Sequence, residues 1–97
     1  MEKPTNKNVT LFERAKAKRA KATGRCSLFD IQAATGLTQS QISSLLGGRI
    51  RFTDTICARL SLAGLASYET LKVNQAKYDA ETVDLSKYDD VEPDFFK

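Results

Sequence analysis

The chain has 97 residues, 41% of them hydrophobic, which allows one domain with a modest core and excludes a wholly disordered protein. The chain has no histidine, which is the commonest general base and the commonest metal ligand, so we expect no enzyme. Its two cysteines, Cys26 and Cys57, lack the spacing of a metal site, so we expect no metal and no cofactor. No apolar run reaches the ~18 residues of a membrane span, and the N-terminus lacks the apolar stretch of a secretory signal. We therefore expect no membrane contact and a reducing, cytoplasmic setting.

Charge is unevenly distributed along the chain, although the net charge is only +3. Residues 1–25 contain eight Lys/Arg and two Glu, whereas residues 63–97 contain eight Asp/Glu and four Lys. This asymmetry favours a polyanion-binding N-terminal end and an acidic end with a separate role. Two solvated faces would give the same composition.

The chain is predicted to begin with a flexible polar arm over residues 1–9. Thr10 and Glu13 have the pattern of a capping box, which opens a first helix from Leu11 to Ala22. Gly24 is expected to end that helix. The apolar stripe of the first helix would contain Leu11, Phe12, Ala15 and Ala22.

Two short helices follow, joined by a tight turn at residues 36–38. The first begins at Ser27 and ends at Gly36. Thr38 and Gln41 form a second capping-box pattern, and the helix they open ends at Leu46, before two glycines. The buried side of the earlier helix would contain Leu28, Ile31 and Ala34.

Two more helices complete an all-α bundle of about five short helices, with its domain at residues 10–80. Thr53 or Asp54 caps the fourth helix, and Ser67 caps a fifth that runs from about Tyr68 to Ala80. The inward residues of the fourth helix would be Ile56, Cys57, Leu60 and Ala63. Those at helical spacing in the fifth are Leu71, Gln75 and Tyr78.

A helix-turn-helix pattern lies within residues 27–46. Ile31, Gly36, Leu37 and Ile42 have the order and spacing of an apolar anchor, a turn glycine and two further apolar anchors. Short polar side chains at the start of a helix can read base edges in the major groove. The predicted base contacts are Gln39, Ser40, Gln41, Ser43 and Ser44. A helical hairpin that only packs the bundle is the alternative.

Candidate phosphate contacts surround this motif. Arg49 and Arg51 follow the second helix in a loop, where an ordinary solvated turn is the alternative interpretation. Ser27 offers a backbone N–H and a hydroxyl at a helix start, although it could be a plain cap. The remaining predicted phosphate contacts are Thr38, Lys18, Arg19 and Lys21.

The segment from Leu37 to Ser43 resembles the Leu/Val-Ser-Gln-Ser-x-Ile-Ser signature of the lambda-repressor/Cro-like (XRE) helix-turn-helix family. Leu46 to Arg49 resembles the turn that ends the recognition helix in that family. The resemblance extends over about Leu11 to Leu71 and implies a five-helix DNA-binding domain. The chain departs from the family at Gln32, where Ala or Gly usually lets the two helices touch.

A second stretch is similar to the region after the helix-turn-helix in HigA-type antitoxins. In those proteins an Arg-Leu pair is followed by the pattern Leu-x-x-Gln-x-x-Tyr-Asp in the last helix. Here the segment from Cys57 to Leu60 ends in Arg-Leu, and the segment from Leu71 to Asp79 is similar to the second pattern. The Phe and Trp common there are replaced here by Thr70 and Leu71. Packing of the fifth helix explains the same residues more simply.

The first resemblance implies a transcriptional repressor of phage, plasmid or mobile-element type, which would associate with the bacterial nucleoid. It would bind a palindromic operator in double-stranded DNA as a homodimer, because one recognition helix reads only a few base pairs. Two alternatives remain open. One is a HigA-like antitoxin that represses its own operon and neutralises a toxin, and the other is a protein-interaction adaptor.

Residues 81–97 form an acidic, aromatic tail with six Asp/Glu, two Lys and six large apolar residues. Such a segment is too charged to fold alone and too apolar to be an inert linker. We expect it to point away from DNA and to contact protein. The partner would be the sister subunit, with Val83 and Leu85 pairing across a two-fold axis, or a basic toxin or a polymerase surface. A disordered end is the remaining alternative.

Overall fold

A computed structural model describes residues 4–97. This range holds no β-strand, and none of its helices is long and apolar enough to cross a membrane. The predicted all-α bundle of five helices is confirmed. The helices are α1 Lys7–Thr23, α2 Leu28–Thr35, α3 Gln39–Leu46, α4 Asp54–Leu62 and α5 Tyr68–Thr82, followed by a 3-10 turn at Leu85–Lys87.

Apolar side chains from all five helices form one core. The α4–α5 and α2–α3 pairs have the most extensive contacts, and α1 packs on both α5 and α3. Ile42 and Leu45 of α3 are completely buried, which stabilises the fold by roughly 1.5–3 kcal/mol for each side chain. The other core residues are Val9, Phe12, Ile31, Leu37, Phe52, Ile56, Cys57, Leu60 and Leu71.

The first helix begins four residues earlier than the sequence pattern predicts. Asn6 is its N-cap, and the Oδ1 atom of Asn6 accepts a 3.0 Å hydrogen bond from the backbone N–H of Asn8. Thr10 lies inside the helix, so the predicted capping box of Thr10 and Glu13 is wrong. The earlier start has a tertiary cause, because Asn6 and Asn8 are both buried and hydrogen-bonded to α5. Residues 1–3 of the expected arm lie outside the described residues.

The second half of α1 extends beyond the core. The buried residues of this helix, Asn8, Val9 and Phe12, all belong to its first two turns. Ala22 is exposed rather than inward, because it lies in that projecting half. Ala34 and Ala63 are exposed as well, each at the end of its helix. Gly24 ends α1 as predicted, with a φ angle of 90° that favours glycine.

The other helices begin at the predicted caps. In each case the cap hydroxyl accepts a hydrogen bond from the backbone N–H three residues later, which satisfies one of the free donors of the first turn. These caps are Ser27, Thr38, Thr53 and Ser67. The last helix, α5, continues to Thr82, two residues beyond its predicted end.

Every residue of the tail after α5, residues 83–97, is exposed. Its apolar side chains remain in solvent, including Leu85 at 73% exposure and Phe96 at 97%. The rings of Phe95 and Phe96 meet edge to face, with their centroids 5.0 Å apart. The radius of gyration is 16.5 Å, whereas a compact chain of this length would have about 12.5 Å. The tail therefore lengthens the molecule without adding to its core.

Candidate nucleic-acid interface

The turn between α2 and α3 is held rigidly from both sides. Gly36 has a φ angle of 75°, which residues with a side chain rarely adopt. The Thr35 hydroxyl donates a 2.7 Å hydrogen bond to the Ile31 carbonyl and accepts one of 3.2 Å from the Leu37 N–H. From α4, the Arg59 guanidinium donates to the Thr35 carbonyl at 3.2 Å. The orientation of α3 relative to α2 is thus set by several independent contacts.

The buried side of α3 determines which side chains face solvent. Because Ile42 and Leu45 are completely buried, the opposite side of the helix is turned outward. Gln32, the departure from the family pattern, is half-buried on α2. Three of the five predicted base-contacting residues are exposed, namely Gln39, Ser40 and Ser43. The other two, Gln41 and Ser44, are half-buried.

Two of these five residues already have intramolecular partners. The Oε1 atom of Gln41 accepts a 3.0 Å hydrogen bond from the Thr38 N–H, completing the predicted capping box. Its side-chain NH₂ group has no such role. The Arg49 guanidinium donates to the carbonyl and hydroxyl oxygens of Ser43 at 3.3 and 3.4 Å. Of the remaining three, Gln39 and Ser40 are exposed and Ser44 is half-buried, so Gln39 and Ser40 are the most accessible polar side chains without an intramolecular partner within residues 4–97.

The start of α2 contains a capping box that the sequence analysis missed, although Ser27 is followed by Asp30 at the required spacing. The Asp30 carboxylate accepts a 2.9 Å hydrogen bond from the Ser27 N–H, and the Ser27 hydroxyl accepts one from the Asp30 N–H. The Ser27 N–H lowers the pKa of Asp30. A carboxylate therefore takes the N–H that was predicted to contact phosphate.

Arg49 lies against the C-terminal end of α3. Its contacts with Ser43 hold the guanidinium over the last turn, where the helix dipole favours a cation. A Cβ atom at Gly47 would meet this guanidinium, so glycine leaves the space that the arginine uses. The Arg49 side chain remains exposed, which leaves further N–H groups directed to solvent.

Arg51 is held by an ion pair with α5. Its two terminal nitrogens donate to the two carboxylate oxygens of Asp79 at 2.5 and 2.8 Å. This bidentate hydrogen bond raises the pKa of Arg51 and lowers the pKa of Asp79. Arg51 would have to share its donors with Asp79 in order to contact phosphate, which makes it a weaker candidate than Arg49.

The predicted cations of α1 lie in the projecting half of that helix. Lys18, Arg19 and Lys21 are all exposed there. They are separated from Gln39 and Ser40 by the α1–α2 loop and by α2 itself. The structure thus places the predicted cations in two groups, one on the projecting half of α1 and one in the loop after α3.

A buried amide network behind this surface was not predicted. Gln75 Oε1 accepts hydrogen bonds of 2.9 Å from the Asn6 side chain and from the Phe52 N–H. Asn8 donates to the Leu71 carbonyl at 2.7 Å. Only the cap preference of asparagine gives a local sign of this network. The network joins the start of α1, the loop after α3 and α5 into one unit.

A surface cleft of about 570 Å³ lies next to the buried amide network. It lies between the start of α1, the loop after α3 and the end of α5, and its lining includes Arg49, Arg51 and Thr82. The acidic tail therefore begins beside the loop that carries both arginines.

Comparison of the chain with protein-family models, with curated proteins and with solved structures finds no match in any of the three sets.

Proposed function

We propose that the protein is a sequence-specific regulator of transcription that represses by occupying a palindromic operator as a homodimer. The observation that carries this proposal is the outward polar side of α3, built on a buried apolar side and a braced turn. Gln39 and Ser40 lie at its exposed N-terminal end. Side chains at this end of a recognition helix are the ones that reach base edges in the major groove.

The charge distribution supports the same proposal. Exposed cations lie on either side of the helix-turn-helix along the chain, at residues 14–25 before it and at Arg49 after it. Phosphate contacts of this kind position a protein on the duplex without reading sequence. Bound over a promoter, a dimer would exclude polymerase by occupancy, with no chemistry required.

The test begins with selection of binding sites from random double-stranded DNA by the full-length protein. We expect an enriched site made of two half-sites related by a two-fold axis, roughly 10 base pairs apart centre to centre. Recovery of DNA without any shared sequence, bound with equal affinity, would overturn the proposal.

Gln39→Ala then tests the recognition helix on the selected site. Because Gln39 can pair with an adenine edge, its loss should cost about 1–3 kcal/mol and relax the preference at one base pair. Lys77→Ala, which removes an exposed cation from α5, is the control and should leave the selected sequence unchanged. If Gln39→Ala keeps both affinity and sequence preference, another surface reads the DNA.

Arg49→Ala separates phosphate contacts from base contacts. We expect a loss that is similar on selected and unrelated sequences, with the salt dependence of binding flattened by about one unit of slope. A loss confined to the selected site would show that Arg49 reads a base instead.

A further inference from the structure

We propose that the acidic tail, residues 83–97, docks on a second copy of this chain, at a surface formed by the projecting half of α1 and the start of α2. We call this surface the basic corner; it consists of Arg14, Lys18, Lys21, Arg25 and Phe29. The proposal rests on the homodimer of the proposed function and names a contact between its two copies in the absence of DNA. Lys18 and Lys21 are also predicted phosphate contacts, so the tail has to leave the basic corner before these cations bind DNA.

The basic corner combines positive charge with an exposed aromatic ring. Arg14, Lys18 and Lys21 are spaced by four and three residues, so they share one side of α1, and all are exposed. Arg25 approaches Asp30 in the first turn of α2, with 3.9 Å between Nε and Oδ2. Phe29 lies in that same turn and is 64% exposed, which is unusual for an aromatic residue in a small bundle.

The tail has the complementary chemistry. Its acidic residues outnumber its lysines by five to two, and its aromatic residues Tyr88, Phe95 and Phe96 are 55%, 66% and 97% exposed. Opposite charges would align the two surfaces, and the paired rings of Phe95 and Phe96 would pack against Phe29.

The arrangement of α1 and α5 favours a second copy over the same chain. Asn6 bonds to Gln75 and Asn8 to Leu71, so the two helices run in opposite directions. The tail therefore leaves α5 beside the start of α1, whereas the basic corner lies at the far end of that helix. The 17 residues of α1 span about 25 Å. Docking in the same chain would require the tail to reverse and run back along the whole helix.

A two-fold arrangement satisfies both surfaces at once. Each copy gives its tail to the corner of the other, which is the reciprocal contact expected in a symmetric dimer. An aromatic side chain buries about 150–250 Å². The six tail rings of two copies would thus bury about 900–1,500 Å², close to the total of roughly 1,200–2,000 Å² that a stable interface buries.

Sedimentation equilibrium of the full chain, without DNA, measures this contact. We expect a dimer whose dissociation constant rises with salt, and at least tenfold weaker association in the double variant Phe95→Ser/Phe96→Ser and in Phe29→Ser. Leu62→Ser is the matched control: Leu62 is 90% exposed, lies outside both surfaces and should not alter association. Circular dichroism spectra should coincide for all four proteins, since every changed side chain is exposed.

A mixing experiment decides between exchange and docking in the same chain. The variant Phe95→Ser/Phe96→Ser has a defective tail but an intact basic corner. The variant Lys18→Glu/Lys21→Glu has a defective basic corner but an intact tail. Each should be largely monomeric alone, and an equimolar mixture should form a one-to-one heterodimer through one restored contact. A monomeric wild type, a dimer unaffected by the tail changes, or a mixture without heterodimer would each overturn the proposal. DNA selection is read separately with the wild type and with Phe95→Ser/Phe96→Ser, because Lys18→Glu/Lys21→Glu also removes two predicted phosphate contacts. Failure of the operator proposal is then a distinct result.

Discussion

The α2–α3 hairpin and the α1–α5 junction are stabilised by different kinds of contact. In the hairpin, the caps and the bonds of the Thr35 hydroxyl join residues no more than four positions apart, and Arg59 adds one bond from 24 residues away. Completely buried apolar side chains fix the orientation of α3. In the junction, buried amides join residues 69 and 63 positions apart. The hydrogen bonds of the hairpin thus lie mainly within its own segment, whereas those of the junction require both ends of the domain. Substitutions of single residues separate these two kinds of stabilisation.

Ile42→Ala should have the largest effect, because it removes a fully buried anchor of the hairpin. Truncation of a buried Ile to Ala costs about 2–5 kcal/mol, which would unfold much of a small domain. Urea denaturation followed by circular dichroism measures the loss. Leu62→Ala, an exposed apolar truncation, should change the unfolding free energy by less than about 0.5 kcal/mol. Equal losses in the two variants would refute the assigned core.

Gln75→Ala tests the junction and should come second. It leaves the Asn6 amide and the Phe52 N–H without their acceptor, and each orphaned buried donor costs about 1–3 kcal/mol. We expect a total loss of about 2–3 kcal/mol, since water can enter part of the space. Gln39→Ala is the matched control, because Gln39 is exposed in the first turn of α3. A near-neutral Gln75→Ala would show that water fully replaces the network.

Thr38→Ala removes a local cap of the hairpin and should cost about 1 kcal/mol. The Thr38 hydroxyl accepts the Gln41 N–H at 3.0 Å, and that donor would turn to water. Thr55→Ala makes the same chemical change at an exposed position in the first turn of α4, next to the cap but not at it, and should change the unfolding free energy by less than about 0.5 kcal/mol. The same urea titrations give both values, and a larger loss for Thr55→Ala would contradict the assigned cap.

The difference between local and distant contacts also decides how much of the structure the sequence could predict. Ser27, Thr38, Thr53 and Ser67 are caps whose bonding partner lies three residues away, so the starts of four helices were predictable. The start of α1 was not, because the partners of Asn6 and Asn8 lie in α5. A local pattern at Thr10 suggested a later start instead.

The candidate interface divides in the same way. The outward side of α3 follows from the spacing of Ile42 and Leu45, which sequence periodicity gives directly. The partner of Arg51 lies 28 residues further on, so its ion pair with Asp79 could not be predicted. The Asp30 carboxylate at Ser27 was predictable in principle, since the spacing is that of a capping box.

Asp79→Asn should have the smallest effect on the free energy of unfolding, and this effect should depend on pH. Arg51 holds the pKa of Asp79 below its usual 3.8 in the folded protein. The stabilisation is therefore present above the unfolded pKa and is lost as pH falls through the lower folded value. The gap in urea midpoint between wild type and Asp79→Asn should be constant near neutral pH and should close below about pH 4. Asp90→Asn, in the tail, is the control, and a gap that widens in acid would contradict the pair.

The hydrogen bonds of Asn6 and Asn8 also set an order of events during synthesis. These two residues leave the ribosome first, but their acceptors in α5 are made more than 60 residues later. The α2–α3 hairpin, in contrast, has its cap partners within its own segment, and its distant turn bond comes from Arg59, only 24 residues after Thr35. In a nascent chain stalled before residue 71, the α2–α3 hairpin would therefore be formed, while the first turn of α1 would still lack its partners in α5. The N-terminal residues, which are synthesised first, would be the last to reach their folded position.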